Sequence, residues 1–122
     1  MKKIFTIALF CALATPSSVA LAGEADVTKV DIKKTGDRTF TFRVTLAHTD
    51  TGWDHYADKW EVVAPDGTVL ATRILAHPHV NEQPFTRSKS GIKIPEGVDQ
   101  VTVRGGDSVH GIGGKEMVVE ID

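Results

Sequence analysis

Five histidines, His48, His55, His77, His79 and His110, are the residues of this chain whose type and spacing could do chemistry. His77-Pro78-His79 sets two imidazoles two residues apart. In an extended backbone such residues face the same side, as a chelating pair should. Pro78 fixes φ and lowers the entropy lost on ordering the pair. Asp50, Asp54, Glu82 and Asp107 accompany the histidines. Imidazole and carboxylate without thiolate suit copper, zinc, iron or nickel. They do not suit a Ca²⁺ cage, which takes mainly oxygen. Asp54, Glu82 and Asp107 are candidates to orient imidazoles as hydrogen-bond acceptors. Asp107, Ser108 and His110 have the residue types of a hydrolytic triad. Three such residues within four positions rarely aim at one another, and triads are assembled from distant segments.

Strands must position these residues, since period-two patterning dominates. Phe40, Phe42, Val44 and Leu46 share one face of Arg38–Leu46, and Thr39, Thr41, Arg43 and Thr45 the other. That is a half-buried antiparallel strand. Met117, Val119 and Ile121 alternate in the same way over Glu116–Ile121. Val27–Lys33, Tyr56–Ala64, Thr68–Leu75, Phe85–Ile94 and Val98–Arg104 complete seven candidate strands. The spacing predicts an all-β fold, a seven-stranded antiparallel sandwich of immunoglobulin or fibronectin-III type. Trp60 is its natural core anchor.

The connections alternate in length. Thr35-Gly36-Asp37, Pro65-Asp66-Gly67 and Pro95-Glu96-Gly97 are tight turns, built from residues such turns require. His48–His55, Ala76–Pro84 and Gly105–Lys115 read as long loops. Strands running up and down send alternate connections to opposite ends. All five histidines therefore fall at the long-loop end, together with Trp53. Gly111, Gly113 and Gly114 would let the last loop turn His110 inward.

The N-terminus sets the compartment. Lys2 and Lys3 precede an apolar run from Ile4 to Ala14, and Ala20-Leu21-Ala22 supplies small residues before Gly23. This is the pattern of a secretory signal peptide cleaved after Ala22. Cys11 lies inside the apolar run and does not follow the small residues of a lipid-attachment site. Cleavage leaves one 100-residue domain, residues 23–122, without cysteine. Losing Lys2 and Lys3 leaves 12 Lys+Arg against 16 Asp+Glu, a balance of −4 with neutral histidine. A mildly acidic domain without a basic run argues against nucleic acid as partner. No later stretch is apolar enough to insert the mature chain into a membrane.

His55-Tyr56 opens a strand, His48 precedes it, and Asp107-Ser108-Val109-His110-Gly111 follows late in the chain. In these motifs the chain resembles the superoxide reductases, desulfoferrodoxin and neelaredoxin. Their immunoglobulin-like domain holds one iron at its end, on four histidines and one cysteine. The resemblance implies that His55 is an equatorial ligand and that His110-Gly111 closes the family's Cys-x-x-His-Gly loop. His48 looks like the preceding histidine. His77-Pro78-His79 echoes the His-Pro step, placed after the His-Tyr strand instead of before it. Asp107 stands where that family has its thiolate. The loop motifs also look like those of small exported bacterial proteins.

The expected function is metal carriage or buffering in the periplasm, with copper favoured, zinc next and iron a further candidate. The expected ligands are His48, His55, His77, His79 and His110. The metal ion is the expected partner, with room for another periplasmic protein. A mononuclear redox enzyme is the first alternative. The second is a metal-free interaction or assembly module, whose loops form a recognition surface.

Overall fold

The computed structural model describes Gly23 to Ile121. The expected signal peptide, residues 1–22, lies outside the described residues. Seven strands follow in order: β1 (Asp26–Gly36), β2 (Thr39–Ala47), β3 (Ala57–Val63), β4 (Val69–Ile74), β5 (Phe85–Lys93), β6 (Gln100–Asp107) and β7 (Gly111–Glu120). They form two antiparallel sheets, ordered β1-β2-β5 and β4-β3-β6-β7. Among the described residues there is no helix, and hence none long and apolar enough to cross a membrane.

Alternation places the core. Phe40, Phe42, Val44 and Leu46 of β2 are buried, and they join Phe85 and Ile92 of β5 in one sheet. Trp60 and Val62 of β3 and Val101 and Val103 of β6 face them from the other, in a single apolar cluster. Trp60 is fully buried. At the short-turn end, Arg38 takes a positive φ of 53°. Its guanidinium donates to the carbonyls of Ile94, Pro95 and Val98 at 3.1, 2.6 and 2.8 Å. That grip ties the β1–β2 turn to the β5–β6 turn.

The expected long loop from Gly105 to Lys115 is not a loop. β6 runs on to Asp107, only residues 108–110 turn, and β7 begins at Gly111. Gly105, Gly113 and Gly114 answer to packing against residues 24–26 at the start of β1. A Cβ on Gly105 would lie 3.2 Å from both Ala25 Cβ and Leu46 Cδ2. One on Gly114, at φ +76°, would collide with the Ala25 carbonyl. Lys115 N–H also donates to Asp26 Oδ1 at 2.7 Å.

Gly114→Ala adds both a left-handed backbone penalty and a backbone collision, so it is expected to cost about 3 kcal/mol or more. Gly67→Ala, at φ +93° with open space around it, is expected to cost about 1 kcal/mol. Urea midpoints of the two variants check the difference.

Candidate metal centre

The strand ends bring three connections together at this end of the fold. His48 is the first residue after β2, and Asp50 lies two positions on. Asp50 is 4 % exposed, and a buried carboxylate must be met by donors. Its Oδ1 lies 2.5 Å from His48 Nδ1 and accepts Ala57 N–H at 3.0 Å. Its Oδ2 accepts His79 N–H at 2.7 Å. One side chain thus joins the end of β2, the start of β3 and the β4–β5 link. Gln83 doubles the tie, accepting from His48 N–H and donating to the His79 carbonyl, both at 3.0 Å.

The 51–55 turn folds His55 back on His48. Thr51 N–H donates to the His55 carbonyl at 3.0 Å, and His55 N–H to the Gly52 carbonyl at 3.2 Å. His48 Nε2 and His55 Nε2 then stand 3.3 Å apart. Ser108 fixes the β6–β7 turn against the start of β3: its Oγ accepts Tyr56 N–H at 3.0 Å, and its N–H donates to the Tyr56 carbonyl at 2.9 Å. That hydroxyl acts as a structural acceptor.

Asp107 ends β6 and is 2 % exposed. Its Oδ1 accepts the N–H groups of Val109 and His110 at 2.8 and 2.6 Å. His110 Nδ1 lies 3.1 Å from its Oδ2. Burial by itself would raise the Asp107 pKa. The two backbone donors and His110 outweigh it and hold the carboxyl below its ordinary range. Asp107 therefore stays a carboxylate. His48 Nε2 lies 3.5 Å from its Oδ2 and His55 Nε2 3.4 Å from its Oδ1. The rings of His55 and His110 have centroids 5.1 Å apart. His48, His55 and Asp107 offer ligand atoms all within 4.8 Å of one another, with His110 against the same carboxylate.

His77 and His79 form a second group, joined to the first through Asp50. Their ring centroids are 4.8 Å apart, and His79 stacks on Phe85 at 4.0 Å. Both ring nitrogens of His79 are buried without a hydrogen-bond partner. Burial first, then the positive charge of Arg87, lowers the His79 pKa. The imidazole is neutral at pH 7, with a free lone pair.

Two expectations about supporting acceptors change. Glu82 pairs with Arg87 at 3.0 Å instead of with an imidazole, and that bond holds its carboxyl below the usual range. Asp54 is exposed. Asp50 does the orienting, and its His-x-Asp spacing from His48 was the visible signal. Gln83, which the sequence reading did not single out, links His48 to His79. The Gly23 carbonyl, 3.1 Å from His48 Nε2, carries no sequence signal at all.

The chain is similar to a protein of Halomicrobium mukohataei named "Putative lipoprotein", with 46% identity over 99 residues. The match covers 81% of this chain and 48% of that protein, so the chain spans about half the length of this relative. No family model matches the chain, and no solved structure matches it.

Asp50→Ala leaves His48 Nδ1 and two buried N–H groups without partners, an expected cost of about 3 kcal/mol or more. Asp54→Ala is expected to shift stability by less than about 0.5 kcal/mol, and chemical denaturation separates the two. His79 sets a pH dependence in the metal-free protein. The unfolded imidazole takes up its proton near pH about 6.5, and the folded one only at lower pH. Stability is thus full above about pH 6.5 and falls as pH drops through that value toward the folded pKa. Melting temperatures measured from about pH 7.5 to 5 are expected to fall less steeply in His79→Gln.

Proposed function

We propose that this chain is an exported metal-binding protein of the periplasm that carries or buffers a single transition-metal ion. Copper is favoured and zinc is next, as imidazole with carboxylate suits both and copper tops the divalent affinity order. The ion is held by His48, His55 and Asp107, with His110 beside them. The observation that carries this reading is that His48, His55 and Asp107 each offer a ligand atom, all within 4.8 Å of one another, with the two Nε2 atoms 3.3 Å apart. A tetrahedral ion with bonds of about 2.0–2.1 Å has ligand atoms about 3.3–3.4 Å apart. Asp50 on His48 Nδ1 supplies the outer carboxylate that commonly orients a metal-bound imidazole. His77 and His79, linked through Asp50, are the accessory pair from which an ion is handed on.

Export is supported by the leader-like residues 1–22 and by the name of the similar protein. The three-plus-four strand order supports an immunoglobulin or fibronectin-III type sandwich, whose loop end commonly carries sites.

A mononuclear redox centre, with iron as the metal, is the second reading. It is favoured by the donor set of His48, His55 and Asp107. Two histidines and one carboxylate also suit a non-haem ferrous ion with open positions.

Titration of metal-free protein with Cu²⁺ and Zn²⁺ tests the proposal. One equivalent is expected, with a melting temperature rise of about 10 °C or more at a hundredfold excess over Kd. Binding is expected to release protons and weaken as pH falls through the histidine range. Asp107→Asn and His55→Ala are expected to abolish this equivalent, while His77→Ala with His79→Ala leaves it in place. No uptake and no thermal shift would sink the metal reading and leave the loop end as a recognition surface. Superoxide consumption by the Fe²⁺-loaded protein would move the assignment to the redox reading.

A further inference from the structure

His48 Nε2 faces a third group that neither the histidine pattern nor the metal reading uses. The carbonyl oxygen of Gly23 lies 3.1 Å from it. The same nitrogen is 3.3 Å from His55 Nε2 and 3.5 Å from Asp107 Oδ2. An ion on His48 Nε2 replaces any proton there, and the Gly23 carbonyl then faces the ion. His48 Nδ1 is already committed to Asp50, so Nε2 is the free nitrogen of that ring.

Gly23 is held in place by the glycines of β7. The Glu24 side chain lies over Gly113, within 3.0 Å of where a Cβ would be. Ala25 is fully buried, and its carbonyl sits over Gly114 in the space a side chain would fill. Asp26 accepts Lys115 N–H at 2.7 Å. This glycine run is otherwise costly in a strand. Here it gives the Gly23–Asp26 segment a seat beside the cluster.

We propose that the mature N-terminus completes the metal centre, with the Gly23 α-amine and carbonyl oxygen as a chelating pair. The inference rests on the metal centre proposed above and on cleavage after Ala22. One carbon separates the α-nitrogen from its carbonyl carbon, so both atoms close a five-membered ring on one ion. In the precursor this nitrogen belongs to the Ala22–Gly23 peptide bond. Its lone pair is delocalised into the Ala22 carbonyl and is no donor to a metal. Hydrolysis breaks that C–N bond and consumes one water. It leaves a carboxylate on Ala22 and an amine on Gly23. The centre therefore gains its last nitrogen only when the leader is removed, so the exported form binds metal tightly and the precursor does not.

The test compares three forms of the chain: exported protein, the same chain acetylated on Gly23, and one that retains residues 20–22. Intact mass is expected to place the exported terminus at Gly23. Competition against a chromophoric chelator gives each Kd for Cu²⁺ and for Zn²⁺. The acetylated and extended forms are expected to bind about ten- to a hundredfold more weakly, the scale on which metal sites respond to altered support. Their metal-free melting temperatures are expected to match that of the exported form. The Cu²⁺ electron paramagnetic resonance of the exported form is expected to show one more coordinated nitrogen. Equal Kd values in all three forms would overturn the inference and leave the centre standing. So would a loss in the acetylated form alone, which would mark bulk instead of a lost amine, or a terminus other than Gly23. No uptake by any form would overturn the metal centre itself and this inference with it.

Discussion

A buried carboxylate without donors costs several kcal/mol, and this constraint shapes the histidine end of the molecule. Asp50 meets it by drawing donors from three separate segments: His48, Ala57 and His79. None of these contacts is regular strand pairing. Together they tie the two chain crossings between the sheets at this end, β2 to β3 and β4 to β5, into one unit. The apolar cluster centred on Trp60 and Phe42 brings the sheets together. Asp50 decides how their ends meet, and therefore which imidazoles face one another.

Asp107 adds a second buried carboxylate to the same small volume. His48 lies between the two, with Nδ1 toward Asp50 and Nε2 toward Asp107. Two anions in a poorly solvated pocket repel unless positive charge stands with them. The backbone N–H groups of Val109 and His110 answer part of this demand and keep Asp107 ionised. The rest falls to the imidazoles or to a cation. An arrangement that stabilises a carboxylate and aims imidazole nitrogens at it is suited to a divalent ion, whose charge balances both acids at once.

The strand pattern was legible because burial on one face writes a period of two into the residues. Phe40, Phe42, Val44 and Leu46 show it. Parity then carried the histidines to one end without any knowledge of contacts, since antiparallel strands send alternate connections the same way. Partners were less legible. Glu82 offered a carboxylate near the histidines, but Arg87 lies on the strand that follows and takes it. Asp50 and Asp54 look alike in sequence, and only the fold buries one and exposes the other. The glycines from Gly105 to Gly114 read as loop because glycine is common in turns. The reason for Gly105 and Gly114 lies at Ala25 and Leu46, a long-range contact that no local pattern records.

The two groups of histidines differ in what holds them. Asp107 is the last residue of β6, His48 follows β2 directly, and His55 stands two residues before β3. Their backbones are continuous with strands whose pairing resists displacement, and their ligand atoms lie within 4.8 Å of one another. His77 and His79 lie in the link from Leu75 to Pro84, outside any strand. That link is tied down chiefly through Asp50 and Gln83. Segments held by few contacts open at lower free energy than those embedded in sheets. The division follows from where the strands end: sheet pairing fixes one group of histidines, and side-chain ties from Asp50 and Gln83 hold the other.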